Sequence, residues 1–199
     1  MLAQLLVISG IIINGIGTLS YVVGTLQGKI KPNKVTFFVW SIAPFVAFLA
    51  QISQGVGIQA LMTLSVSIFP LSVFVASFLN RQAYWQLNKR DLACGLLSLA
   101  GLLLWYLTKV GNIAIVFSLL SEGLATLPTA IKAYHHPRTE QAWPWLASTI
   151  SGVLTLITIT TWDFAHFAFP LFYAFEMCLL FVLVRFEPGA RPSKKLAAS

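Results

Sequence analysis

The chain has 199 residues, of which 57% are hydrophobic and 10% charged, and its mean hydropathy is +0.81. Soluble domains carry about 25% charged residues, so this composition excludes a water-soluble fold and leaves no room for a soluble enzyme domain. The net charge of +7 does not imply nucleic-acid binding, because it is gathered in a few gaps where membrane orientation and anionic lipid account for it.

Seven apolar segments are predicted in chain order, at 3–25, 35–53, 58–80, 91–108, 112–134, 143–161 and 164–186. Each approaches the ~20 residues that carry a helix across a ~30 Å hydrocarbon core. The first starts Met1-Leu2-Ala3-Gln4 with no basic region before it. Its apolar run exceeds the ~7–15 residues of a signal-peptide core, so it reads as a retained spanning helix. Lys29, Lys31 and Lys34 follow it. Arg81, Lys89 and Arg90 follow the third segment, Lys132 and Arg138 close the fifth, and Arg185, Arg191, Lys194 and Lys195 follow the seventh. Only Lys109 falls in the other gaps. Basic residues near helix ends stay on the cytoplasmic side. The expected topology is therefore seven crossings with the N-terminus out and the C-terminus in. Short loops lean toward a bacterial inner membrane.

The aromatic residues fit this topology. Trp143 and Trp145 are expected at the inner interface, Trp162 and Trp105 at the outer one, Trp40 slightly deeper, and Trp85 in a cytoplasmic loop. Tryptophan favours that depth because its ring is apolar and its N–H needs a partner. Cys94 and Cys178 lie inside apolar segments and read as small buried hydrophobes, too few for a disulfide framework or a metal site.

A repeat runs through the chain. Lys29–Phe45 and Tyr134–Ser148 both pass from a basic turn through a proline into an aromatic-rich helix. Pro32 then matches Pro137, and Trp40 matches Trp145, each 105 positions on. This offset maps segments one to three onto five to seven. Two three-helix units can run parallel only if a single helix separates them, and segment four is that helix. The expected organisation is a first three-helix repeat at 1–83, a linker helix at 84–110, a second repeat at 111–186 and a basic disordered tail at 187–199. Parallel repeats of this kind occur in secondary transporters, with the substrate site near the midplane between the halves.

Leu127-Pro128-Thr129, the basic turn, Thr139-Glu140 and the aromatic helix start resemble the SWEET, or PQ-loop, family of membrane transporters. In the first repeat Val23-Gly24 stands in place of the Pro-Thr dipeptide, and Pro44 lies deeper than the family's proline. The resemblance implies the 3+1+3 plan and passage of small solutes, sugars above all. Relatives move amino acids with protons, and a fold relative acts as a sorting receptor.

Polar groups at bilayer depth are costly and usually face a cavity or a partner. Glu122 and Glu176 fall near the midplane of segments five and seven, and Asn14 lies at similar depth in the first. Ser65 and Ser67, and Ser148 and Ser151 on one face of the sixth segment, could complete a polar pocket. The expected substrate-binding set is Asn14, Glu122, Glu176, Ser148 and Ser151. Each glutamate has a packing alternative, as a neutral acid hydrogen-bonded to a neighbouring helix. Pro44, Pro70, Pro128 and Pro170 interrupt helices two, three, five and seven. Pro44 and Pro128 are the candidate hinges, the others static kinks. His135 and His136 read as a solvated interfacial pair, and Asp163 with His166 as an interfacial pair at the outer mouth.

No nucleophile–base pair, metal-ligand spacing or phosphate-binding glycine pattern appears, so neither enzyme activity nor a cofactor is expected. The expectation is an all-α membrane transporter whose partners are a small polar solute, sugar-like or amino-acid-like, and membrane lipid. Self-association into a homo-oligomer is left open. The competing readings are a receptor or sorting module of the same fold, and a lipid-handling protein or membrane-enzyme subunit. Seven helices alone would also fit a signalling receptor, but the lone central helix argues against that.

Overall fold

The computed structural model describes residues 1–80, 86, 89–108 and 111–189, and within 89–108 only the side chains of 89, 91–96, 103, 106 and 107. Arg81, Trp85, Lys109, Arg191, Lys194 and Lys195 lie outside the described residues, as do the side chains of Arg90 and Trp105.

Among the described residues the chain is helical, with α1 Leu2–Leu26, α2 Lys34–Ser53, α3 Ala60–Leu79, α4 Lys89–Thr108, α5 Gly111–His135, α6 Ala142–Ile157 and α7 Phe164–Phe186. A 3-10 turn, Pro137–Thr139, leads into α6. Local chemistry sets several boundaries. The Asn33 side chain accepts hydrogen bonds from the N–H groups of Val35 (3.1 Å) and Thr36 (3.4 Å), capping α2. Asp163 caps α7 by accepting from the N–H of His166 at 3.0 Å. Both residues satisfy donors that a helix start leaves without an intrahelical partner. Pro137 opens the 3-10 turn, where its missing N–H is no loss.

Five helices (α1, α2, α3, α5 and α7) are long and apolar enough to cross a membrane. Their outward faces carry large apolar side chains, for example Leu5, Ile12, Ile16 and Leu19 of α1 and Leu171, Phe175 and Leu179 of α7. Such continuous apolar surface needs lipid around it. The protein is a helical membrane protein.

The sixth element corrects its expected length. It ends at Ile157, short of the predicted 161, and its 16 residues span only ~24 Å at ~1.5 Å per residue. The sequence there, Thr158-Ile159-Thr160-Thr161, is β-branched throughout. Thr155 Oγ1 donates to the Ser151 carbonyl (2.9 Å) and Thr158 Oγ1 to the Thr155 carbonyl (2.7 Å). These side chains compete with the helix for its own backbone groups and favour an end.

Packing follows a regular order. Helix α3 lies against both α1 and α2, and α7 lies against both α5 and α6. Between these groups, α1 packs on α6 and α2 packs on α5, while α4 leans on α5 and α2 from outside. The α1 contact has a sequence cause. Val7, Gly10, Asn14, Gly17, Tyr21 and Gly24 are its buried face, alternating steps of three and four residues that keep one seam toward a partner. The glycines let backbones approach closely. A Cβ on Gly17 would stand 2.8 Å from the Ala147 Cβ and 3.2 Å from the Pro144 Cα, and one on Gly10 would stand 3.1 Å from the Ser151 Cα.

Three expectations about burial are corrected. Trp145 is not an interfacial anchor but a core residue, 4% exposed, packed against Tyr21 and Trp40. Lys132, expected only as a basic residue closing the fifth segment on the cytoplasmic side, is fully buried. Cys178 faces outward and Cys94 is half-buried, because the outward faces of these helices are themselves apolar and accept a thiol. Trp143 and Trp162 are exposed, as expected of residues at an interface.

Candidate functional site

The first seam residue to meet a polar neighbour is Asn14, at the midpoint of α1. Its Nδ2 donates to the Tyr173 hydroxyl of α7 at 3.2 Å, and its Oδ1 accepts from Ser148 Oγ of α6 at 2.9 Å. Helices α1, α6 and α7 are thus joined at mid-depth by one amide. Glu122 stands at the same level of α5. It is 1% exposed, and neither carboxyl oxygen has a hydrogen-bond partner. Asn14, Glu122, Ser148 and Tyr173 line a narrow cavity of about 40 Å³ together with Thr18, Tyr21, Phe37, Trp40, Phe69 and Trp145. That is room for a few waters at ~10–15 Å³ each.

Glu176 of α7 is buried beside this cavity without lining it. Thr126 of α5 connects the two. Its hydroxyl accepts from the Trp40 Nε1–H at 3.2 Å and donates to Glu176 Oε1, while Glu176 Oε2 has no partner. Glu176 is near enough for its charge to act on Glu122.

The predicted residues therefore divide. Asn14, Ser148 and Glu122 share the cavity, and Glu176 sits one hydroxyl away. Ser151 is buried at the close approach of Gly10 to α6 and is not among the residues lining this cavity. Ser65 and Ser67 are not among the cavity-lining residues: the Ser65 hydroxyl donates to the Met62 carbonyl of its own helix and the Ser67 hydroxyl to the Ser41 carbonyl of α2, both at 2.7 Å. Pro44 and Pro128 are both buried where α2 meets α5. Hydroxyl-to-carbonyl bonds cross that contact near each of them, Ser118 to Ala43 and Thr36 to Ala125 at 2.7 Å. Pro70 lines the cavity wall.

Four aromatic rings wall the cavity toward the basic end of the bundle. Tyr21–Phe37 (5.3 Å), Phe37–Trp40 (5.3 Å), Trp40–Trp145 (5.9 Å) and Trp145–Tyr21 (5.4 Å) form a closed circuit of ring contacts. Beneath it, the Tyr21 hydroxyl donates to Glu140 Oε2 at 2.7 Å. Lys132 Nζ pairs with Glu140 Oε1 and also donates to the Lys31 carbonyl. The Lys31 N–H donates to the Thr139 carbonyl at 3.2 Å. This network ties the α1–α2 turn to the α5–α6 turn and closes the cavity at that end.

The sequence reading missed Tyr21, Phe37, Tyr173 and the Lys132–Glu140 pair. One signal was present: Tyr21 stands seven residues after Asn14 on the same seam. Asp163 and His166 form an exposed helix cap with His166 Nδ1 2.7 Å from Asp163 Oδ1, far from the cavity. Hydrogen bonds from the His166 ring and backbone hold the Asp163 carboxyl below its ordinary range. His135 and His136 are exposed, as expected.

Among the described residues no group of three or more His, Cys, Asp and Glu side chains is placed to hold a metal ion. No protein-family model, curated protein or solved structure matches this chain.

Proposed function

We propose that the protein is a transporter that moves a small polar solute by alternating access, with proton coupling through its buried glutamates. The observation that carries the reading is the mid-depth cavity walled by α1, α2, α3, α5, α6 and α7, with an unpartnered buried carboxyl on its surface. A buried ionised carboxylate without a partner is expensive. Membrane proteins keep such groups where an ion, proton or substrate satisfies them during the working cycle.

The packing order supports a 3+1+3 plan with α4 as linker. In the units α1–α3 and α5–α7 the third helix stands between the other two. The contacts α1–α6 and α5–α2 exchange under the same twofold. Trp40 and Trp145, matched at the offset of 105, meet each other at 5.9 Å, as equivalent residues do beside a twofold axis. The SWEET-like resemblance, an N-out and C-in topology from the basic gaps and a bacterial inner membrane complete the proposal. Asn14 and Ser148 would hydrogen-bond the solute, Glu122 and Glu176 carry charge or proton, and Pro44 and Pro128 let α2 and α5 flex.

The test is flux in sealed proteoliposomes with an internal pH dye, challenged with sugars, amino acids and small cations. A solute-dependent change of internal pH or labelled-solute counterflow, lost in the Glu122→Gln/Glu176→Gln variant, is the expected result. Absence of both a pH change and counterflow across the panel overturns the transport reading. Saturable binding without flux would then assign a receptor of the same fold.

A further inference from the structure

The interior is unbalanced in charge. Its buried groups outside α4 include one cation, Lys132, and three carboxyls, Glu122, Glu140 and Glu176. Lys132 is engaged by Glu140 and by the Lys31 carbonyl. Glu122 keeps two unpartnered oxygens and Glu176 one, and only Glu122 faces the cavity.

The rest of the cavity surface is chosen for the same kind of guest. Tyr21, Phe37, Trp40, Phe69, Trp145 and Tyr173 present aromatic rings to it. Ring faces attract cations electrostatically, most strongly where water is excluded, and Trp is the best of them. Hydrogen-bonding capacity is modest: the Asn14 amide and the Ser148 hydroxyl already bond one another. A sugar needs many directed hydrogen bonds, whereas an alkylammonium needs a counter-charge and π-surface. The lining supplies the second set.

We propose that the solute is a small organic cation, an amine or quaternary ammonium, with Glu122 as its counter-ion and the Tyr21–Phe37–Trp40–Trp145 circuit as its aromatic wall. The inference rests on the transport reading, since it names the substrate class of the same cavity. At about 40 Å³ the cavity holds only water, so the cation enters when the aromatic circuit parts. Proton and cation then compete for one carboxyl, which yields exchange of the two: binding the ammonium displaces the Glu122 proton, and reprotonation releases the ammonium.

Binding is read without flux, from the emission of Trp40 and Trp145 in purified protein whose Trp85, Trp105, Trp143 and Trp162 are replaced by Phe, titrated with methylammonium, choline and 3,3-dimethylbutan-1-ol. The alcohol matches choline in shape and lacks its charge. Both choline and methylammonium should quench saturably, and choline should bind at least about tenfold tighter than the alcohol, or ~1.4 kcal/mol. Glu122→Gln should erase that preference while leaving the unliganded emission spectrum, and hence the fold, as it was. Glu176→Gln, whose carboxyl is held by Thr126 off the cavity wall, should reduce it less. Equal affinity for choline and the alcohol, no response to either cation, or a preference unchanged in Glu122→Gln overturns the cation assignment. Flux of a neutral sugar alongside any of those results would leave transport standing and reject only the substrate class. Cation binding without flux of any solute would reject transport and leave the site.

Discussion

Lys132 and Glu140 have side chains fully withdrawn from water, and a buried pair is costly to break from one side. Removing either partner leaves an uncompensated charge, which costs about 3–5 kcal/mol, whereas removing both with residues of similar volume is far cheaper. Lys132→Met and Glu140→Gln should therefore each lower the thermal stability of the solubilised protein sharply. The double variant should recover most of the loss. Additive losses in the cycle would mean that the two side chains do not act as a unit. Asp163 gives the opposite kind of residue, exposed and local. Its folded carboxyl is held down mainly by the His166 ring hydrogen bond and then by the His166 N–H. A group with a depressed pKa contributes at pH above its unfolded value and loses that contribution as pH falls through the folded one. The amide protection factors of the first turn of α7, taken relative to intrinsic exchange at each pH, should thus be high at neutral pH and fall below about pH 4. Asp163→Ala should remove that pH dependence. At this scale the sequence was only partly legible. Mid-membrane Asn14 and Glu122 stood out because polar residues there are rare. The burial of Lys132 was not legible, because nothing local says that a residue 8 positions later, Glu140, folds back onto it. Ser151 read as pocket-lining because spacing fixes a face of α6 but not which neighbour that face meets.

Helix boundaries were legible almost throughout, since apolar run length and basic turns set them directly. The exception was the end of α6, where threonine hydroxyls turn back onto the helix carbonyls. The seam of α1 was also written in the sequence, as Val7, Gly10, Asn14, Gly17, Tyr21 and Gly24 at alternating steps of three and four. It passes unnoticed because glycines do not register as hydrophobic pattern. The seam sets where Asn14 and Tyr21 point, and its tightest place is Gly17 against Pro144 and Ala147. Gly17→Val should force α1 from α6, destabilise by about 1–3 kcal/mol and weaken the Asn14–Ser148 hydrogen bond. Gly57, whose added Cβ would meet only the Gln59 side chain at 3.8 Å, is the control, and Gly57→Ala should leave stability nearly unchanged. Equal effects at the two sites would contradict the role given to the seam.

At the scale of the whole molecule, our proposal sets the units α1–α3 and α5–α7 on either side of a narrow cavity. That cavity is closed toward the basic end by the aromatic circuit and by the Tyr21–Glu140–Lys132 network. In our proposal these two closures are the movable part, and the α2–α5 contact with its buried prolines is the pivot. The helical, membrane-spanning character was legible as long apolar runs, whereas the orientation and the repeat belong to the proposal. The closure was not legible, because it joins turns more than 100 residues apart through a lysine and a backbone carbonyl. The most direct test is to ask whether the cavity opens to both sides. Ser148→Cys, in a background with Cys94 and Cys178 replaced by Ser, puts one thiol on the cavity wall. Sealed vesicles of each orientation would be treated with a membrane-impermeant thiol reagent. Alternating access predicts modification from either side, with solute protecting the thiol from both. Modification from one side only, or from neither under any condition, would contradict it.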